Sequence, residues 1–192
     1  MLKELILKNR SYRGYDESVR VTREQLMELA DCARLAPSSQ NFQPLKYYLS
    51  CDAETNAKIQ PLTGWARQLQ PIELPHPGHC PTGFIVICYD SDIGPGAQRF
   101  AKDVGIAAQT MLLAAAEMGL GGCMIGNFSP AKLSEALALP ERLQPVLVVA
   151  IGKPDERVVL TKLEPGGSTD YYRDKDDVHY VPKRRLEDVI IN

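Results

Sequence analysis

The sequence predicts an α+β domain, and three observations carry that expectation. Phe84 to Tyr89 (FIVICY) is an uninterrupted apolar run of strand length, and Val146 to Ile151 is another; runs of this kind suit strands covered on both faces. Residues 97 to 118 place alanines and larger apolar residues at helical spacing over a stretch too long for a strand. The strand and helix patterns do not alternate in a regular βαβ rhythm, so α+β is the better class.

Taken in order, Leu2, Leu5 and Ile6 fall on one face of a short helix over Leu2 to Lys8, whose pattern stops near Asn9-Arg10. Thr22 and Gln25 have capping-box spacing, followed by Leu26, Leu29, Ala30 and Ala33 at helical intervals, so a second helix is expected over about 23 to 35, ended by Pro37. Leu45 to Ser50 reads as a strand. Thr63 to Pro81 is rich in proline and aperiodic; it is expected to be mostly loop, with a helical turn around Trp65, and to act as a lid. The long helix is expected to end at Gly119, with its alanine-rich surface packed by other helices or by a partner subunit. Ser129 and Pro130 open a further short helix, as N-cap and N1. The tail DVHYVPKRRLEDVIIN begins polar and ends apolar.

The 192 residues, without internal repeat, linker or low-complexity tract, are expected to form one domain, 1–192. Net charge is −2, which gives no general attraction for nucleic acid or anionic membrane. The N-terminal MLKELILKNRSYRGYD has charges within its short apolar run, unlike a signal peptide, and the long helix carries Arg99, Lys102, Asp103 and Glu117, too much charge for a membrane span. A cytoplasmic protein with no nucleic-acid or membrane partner is expected. Its five cysteines are odd in number and contain no CxxC pair, which points to reduced thiols.

Two basic clusters, Arg10 to Arg13 and Lys183-Arg184-Arg185, stand near opposite ends of this slightly acidic chain. Each alone reads as a solvated surface. Together with the turn APSSQNFQP at 36–44 they suit a phosphate monoester, whose charge is met by cationic forks and hydroxyl donors. GLGGCMIGN at 119–127 lacks the spacing of a phosphate loop, but its glycines let backbone approach a flat ligand closely. His76 and His79 with Cys80 fall short of a metal set, and no serine sits in GxSxG.

These residues resemble the nitroreductase family of flavin enzymes. The resemblance rests on Arg10-Ser11-Tyr12-Arg13, on Ala36 to Pro44 as APSSxNxQP, on Gly119-Leu120-Gly121 with Ile125-Gly126, and on the basic pair before Leu186-Glu187, all in the family's order. It implies a central mixed or antiparallel sheet flanked by helices and a homodimer with a swapped C-terminal tail. FMN would lie at the dimer interface. Arg10, Ser11, Lys183 and Arg184 would hold its phosphate and ribityl, and Arg13 would stand near N1 and the C2 carbonyl as the catalytic cation. Pro37, Ser38, Ser39, Asn41 and Gln43 would be offered to the flavin of the neighbouring subunit, and the backbone of Ile125 and Gly126 would approach N5. Asn9, Leu45 and Arg185 depart from the residues many members carry there; the last leaves the register of the tail open by about a residue.

The implied activity is hydride transfer from NAD(P)H through flavin N5 to a small oxidised acceptor such as a nitroaromatic, quinone or enone, in ping-pong order, with no metal. Trp65, Phe128 and the 63–81 loop are candidates to cover a planar substrate. Alternatives left open are a specialised relative, such as a reductive dehalogenase or flavin-modifying enzyme, a non-catalytic flavin-binding protein, and a phosphate-binding module without flavin.

Overall fold

The computed structural model describes all 192 residues. Helix α1 (Leu2–Lys8) leads to α2 (Arg23–Arg34), where Gln25 N–H donates to the Thr22 hydroxyl at 3.2 Å and the Gln25 side chain accepts from Thr22 N–H at 2.9 Å. The chain continues through β1 (Leu45–Ser50), α3 (Ala53–Ile59), β2 (Gly83–Asp90), α4 (Ala101–Glu117), β3 (Gly121–Ile125), α5 (Pro130–Ala136) and β4 (Leu143–Gly152). It finishes in β5 (Val158–Lys162), β6 (Tyr172–Arg173) and β7 (His179–Lys183). The main sheet has the order β1-β2-β4-β3 and is antiparallel throughout. A small second sheet has the order β5-β7-β6, with β5 parallel and β6 antiparallel to β7.

Alternation along the central strands builds two cores. Ile85, Ile87, Val149 and Ile151 point toward α2 and α4, meeting Leu26, Leu29, Ala108 and Met111. Phe84, Val86, Val148 and Ala150 point the other way, meeting Ile59 of α3 and Leu133 of α5. Successive strand residues face opposite sides, so a strand that is wholly apolar is one that feeds both cores.

Several elements differ from the sequence reading. The long helix begins at Ala101, preceded by a 3₁₀ turn at Ala97–Phe100, and Gly119 closes it at φ 72°. Helix α3 was not anticipated, although Asp52 caps it by accepting from Thr55 N–H at 2.8 Å. The turn in the 63–81 loop is a 3₁₀ turn at Arg67–Leu69, just after Trp65. GGCMI, read as a glycine-rich approach to a ligand, is strand β3. The polar start of the tail forms β7, which pairs with β5 and β6 from the residues before it, and α1 forms but buries none of its residues.

The glycines of β3 serve close packing. A Cβ on Gly121 would stand 2.6 Å from the Tyr12 ring, and one on Gly122 would stand 2.2 Å from the Ala150 carbonyl oxygen. The space they leave admits the N-terminal basic segment: Ser11 and Gly122 form a parallel bridge, and Tyr12 N–H donates to Gly122 O at 3.1 Å. Gly122→Ala is expected to lower stability by about 1–3 kcal/mol, the cost of forcing a methyl into packed backbone. A urea titration reads this directly, and an unchanged midpoint would show that the approach is looser than described.

Candidate functional site

Helix α4 divides two concavities. Residues advance ~100° each around a helix, so Asp103 and Ala107 lie on one side while Gln109 and Leu112 lie on the opposite side. Asp103 and Ala107 line a groove of about 910 Å³ along α2 and β1. Gln109 and Leu112 line a basin of about 350 Å³ formed with the 9–13 segment, Met124 of β3 and the small C-terminal sheet.

The basin collects cations. Arg10, Ser11 and Arg13 arrive from the segment bridged to β3, Lys183 arrives from the end of β7, and no Asp or Glu lines it. Leu112, Met124, Val158 and Val181 give apolar wall. A ligand that joins an anionic group to a flat apolar body matches this lining. Arg10 is steadied by its own helix end, donating from Nη2 to Ile6 O at 2.6 Å.

The Arg13 side chain is held by neutral groups. Its Nη1 donates to Ser11 O at 3.2 Å and to His179 Nε2 at 3.3 Å, and its guanidinium carbon sits 5.0 Å from the centre of the Tyr171 ring, a cation–π distance. The Arg13 backbone N–H donates to one carboxylate oxygen of Glu156, whose other oxygen accepts from Arg173 Nη2 in a buried ion pair. A guanidinium only donates, so His179 Nε2 accepts and the ring proton resides on Nδ1, which is buried without a protein partner. Burial, then the charges of Arg13 and Arg173, lower the His179 pKa to about 4 against the opposing effect of Asp177.

The hydroxyl-rich turn lies across α4 from this basin. Ser38 Oγ donates to Asp103 Oδ2 at 2.7 Å and Ser39 N–H donates to the same oxygen at 2.9 Å. Gln40, Asn41 and Gln43 hold φ of 50°, 58° and 52°, a region that residues other than glycine seldom occupy. Gln43 N–H donates to Ser38 Oγ at 3.0 Å, and the Gln43 amide reaches Asn41 Oδ1 at 3.1 Å. Pro37, Ser38 and Gln43 line the groove; Ser39 and Asn41 line neither concavity.

One chain therefore brings together Arg10, Ser11, Arg13 and Lys183, and keeps Pro37 to Gln43 apart from them. Arg184 is exposed and outside the basin, Ile125 is buried in the α3/α5 core, and Gly126 is exposed just beyond β3. Trp65 and Phe128 pack against that same core, with Trp65 Nε1 donating to Thr63 Oγ1 at 2.9 Å. His76 and His79 face Asp177 and Asp155 at 3.2 and 3.1 Å, tying the 63–81 loop to the C-terminal sheet. All five cysteines are free thiols, and burial pushes Cys88 up to about 12 and Cys123 up to about 11. Sequence reading missed Gln109, Met124, Tyr171, His179 and Val181. The alternation of His179, Val181 and Lys183 in the tail was the only signal available for a strand facing the basin.

Residues 6–153 match the family model of the nitroreductase family. The chain belongs to the nitroreductase family. It is 30% identical over 167 residues to an NADPH-flavin oxidoreductase of Vibrio harveyi, covering 80% of this chain and 65% of that one. It is 32% identical over 172 residues to an FMN reductase (NAD(P)H) of Bacillus subtilis, covering 78% and 64%. The chain thus spans about two thirds of the length of these relatives. The NADPH:FMN oxidoreductase of Vibrio harveyi complexed with NAD+ superimposes with a TM-score of 0.64 at 30% identity, over 81% of this chain and 69% of that one. A nitroreductase family protein of Streptococcus pneumoniae shares the fold over 100% of both chains, with a TM-score of 0.73 at 20% identity. No helix is long and apolar enough to cross a membrane.

The neutral His179 has a stability consequence for this nitroreductase-family chain. Its folded pKa of about 4 lies below the ordinary value of 6.5, so between those values the unfolded chain binds the additional proton. Its contribution is fully present above the unfolded value and is lost as pH falls from about 6.5 to about 4. Denaturation midpoints measured across pH 4 to 8 are expected to fall less steeply toward acid in His179→Gln than in the wild-type chain. Parallel profiles would show that His179 is not held neutral.

Proposed function

We propose that this chain is an FMN-dependent oxidoreductase that takes electrons from NAD(P)H and passes them to a small oxidised acceptor such as a nitroaromatic, quinone or enone. The observation that carries this reading is the basin: three cations and a hydroxyl beside apolar wall, with no carboxylate among its lining residues. That donor set fits the phosphate, ribityl and ring of FMN, and the names of the flavin-reducing relatives support the same chemistry. Arg10, Ser11 and Lys183, joined by Arg184 from the adjoining tail, would hold the phosphate and ribityl. FMN held there would supply two-electron chemistry between donor and acceptor, in ping-pong order. Arg13 contributes a fixed cation that favours the more negatively charged state of the site, and no side chain is required as an obligate acid or base.

The functional unit in this reading is a homodimer. The Pro37-to-Gln43 turn and the basin lie on opposite sides of α4, so a second copy is the means by which Ser38, Ser39, Asn41 and Gln43 would reach a flavin held by Arg10 and Arg13. A swapped tail is supported by the free edge of β1 and the groove beside it, with Leu45, Tyr47 and Leu49 on its wall. Glu24, Glu28, Asp31 and Asp103 also line that groove, with Arg34 and Lys46 among them. In the tail itself Leu186, Val189, Ile190 and Ile191 are exposed, Ile191 completely, and such residues would suit the apolar wall of the groove.

The deciding experiment is the absorbance spectrum of purified protein reconstituted with FMN, followed by anaerobic NADH and NADPH. A flavin spectrum that bleaches is expected, and a colourless protein after reconstitution would overturn the reading. Arg13→Ala is expected to lower the midpoint potential of the bound flavin; an unchanged potential would remove Arg13 from the catalytic role. Deleting residues 184–192 is expected to shift sedimentation toward monomer, and an undiminished dimer would argue against the swap.

A further inference from the structure

The residues beyond position 153 lie outside the family match, yet they supply most of what touches Arg13. Three of the four groups that touch Arg13 have a common property. The Ser11 carbonyl, the neutral His179 ring and the Tyr171 face are uncharged, and the Glu156 carboxylate is spent on the Arg13 backbone and on Arg173. No Asp or Glu forms an ion pair with the Arg13 guanidinium. A carboxylate there would hold the side chain more tightly but would cancel the charge it presents. Neutral acceptors fix its direction and leave the cation undiminished.

We propose that His179 is the positioning residue for Arg13: through Nε2 it aims the guanidinium into the basin without neutralising it, and Tyr171 and Glu156 of the same C-terminal unit complete the clamp. This inference rests on the reading that Arg13 serves a bound FMN, and it deepens that reading by naming what sets the direction and charge of the cation.

The surroundings of His179 agree with such a role. The charged groups that bear on the ring are Arg13 from the N-terminal segment, Arg173 from β6 and Asp177 from the β6–β7 turn. Two of the three are cations, so a protonated ring would face repulsion from both sides, and Nε2 would lose the lone pair that receives Arg13. His179 is 1% exposed, so water does not readily replace it as the acceptor. The ring also leans on Tyr171 with centroids 5.3 Å apart, which links the two side chains that contact the guanidinium.

The test compares FMN dissociation constants, read by quenching of flavin fluorescence, and midpoint potentials in wild type, His179→Leu, His179→Gln, Arg13→Ala and the double variant Arg13→Ala/His179→Leu. His179→Leu removes the acceptor and is expected to weaken FMN binding roughly tenfold, the worth of one hydrogen bond to a charged group, and to lower the potential. Gln carries an amide oxygen that can occupy the Nε2 position, so His179→Gln is expected to recover most of both losses. In the Arg13→Ala background His179→Leu is expected to add nothing, because its effect runs through Arg13. Equal losses in both backgrounds, or a Gln variant as impaired as the Leu variant, would overturn the proposal and leave a merely structural histidine. If Arg13→Ala alters FMN binding while His179→Leu does not, the proposal fails and the flavin reading stands. A wild-type chain that binds no FMN would overturn both.

Discussion

The site depends on one close approach: the backbone of Ser11 and Tyr12 lying on Gly121 and Gly122 at the edge of the main sheet. Strand β3 is bonded along its other side to β4, which is in turn bonded to β2. A segment fastened to β3 is therefore referenced to the most thoroughly paired part of the molecule. Tyr15, completely buried, adds a second fixture by donating its hydroxyl to Tyr12 O at 2.7 Å, while its ring occupies the space over Gly152. The arginines on either side of Tyr12 inherit this rigidity, and a binding site built from long cationic side chains needs it because their rotamer freedom is otherwise lost on binding.

The same economy explains the hydroxyl-rich turn. In the single chain Ser38 and Ser39 first serve Asp103, a buried carboxylate in the opening turn of α4. Two hydrogen bonds and the positive end of the helix offset the cost of burying that charge. The bonds in turn hold three non-glycine residues in the left-handed region. The turn is thus shaped before any ligand arrives, and its amides at Asn41 and Gln43 are left exposed rather than absorbed by the core.

What the sequence disclosed follows from the range of the interactions involved. Phe84 to Tyr89, Val146 to Ile151 and the α4 pattern were legible because burial on both faces, or along one helical stripe, is written in local periodicity. Thr22 with Gln25 and Ser129 with Pro130 were legible because caps act over three residues. Helix α3 was overlooked because its seven residues bury only Asn56 and Ile59, too few to make a period, although Asp52 was a visible cap. Strand β3 was hidden because glycine opposes strand propensity, and its reason for being there, the ring of Tyr12, lies over a hundred residues away. The clamp on Arg13 was invisible for the same reason: His179 and Glu156 are 166 and 143 positions removed from it. No local pattern encodes such a pair.

The net charge of −2 conceals a strong polarity across one helix. On one side of α4 the basin exposes Arg10, Arg13 and Lys183 with no acid; on the other the groove carries Glu24, Glu28, Asp31 and Asp103 against only Arg34 and Lys46. Acids that do come near the basin are already engaged, Glu156 with Arg173 and Asp177 with both Arg173 and His76. Segregation of this kind costs self-repulsion within each face. In the proposed reading a ligand bearing phosphate would relieve it on the cationic face, and contact with a second copy would relieve it on the acidic face. The two halves of the proposed function, flavin binding and dimerisation, would both draw on a single uneven distribution of charge about α4.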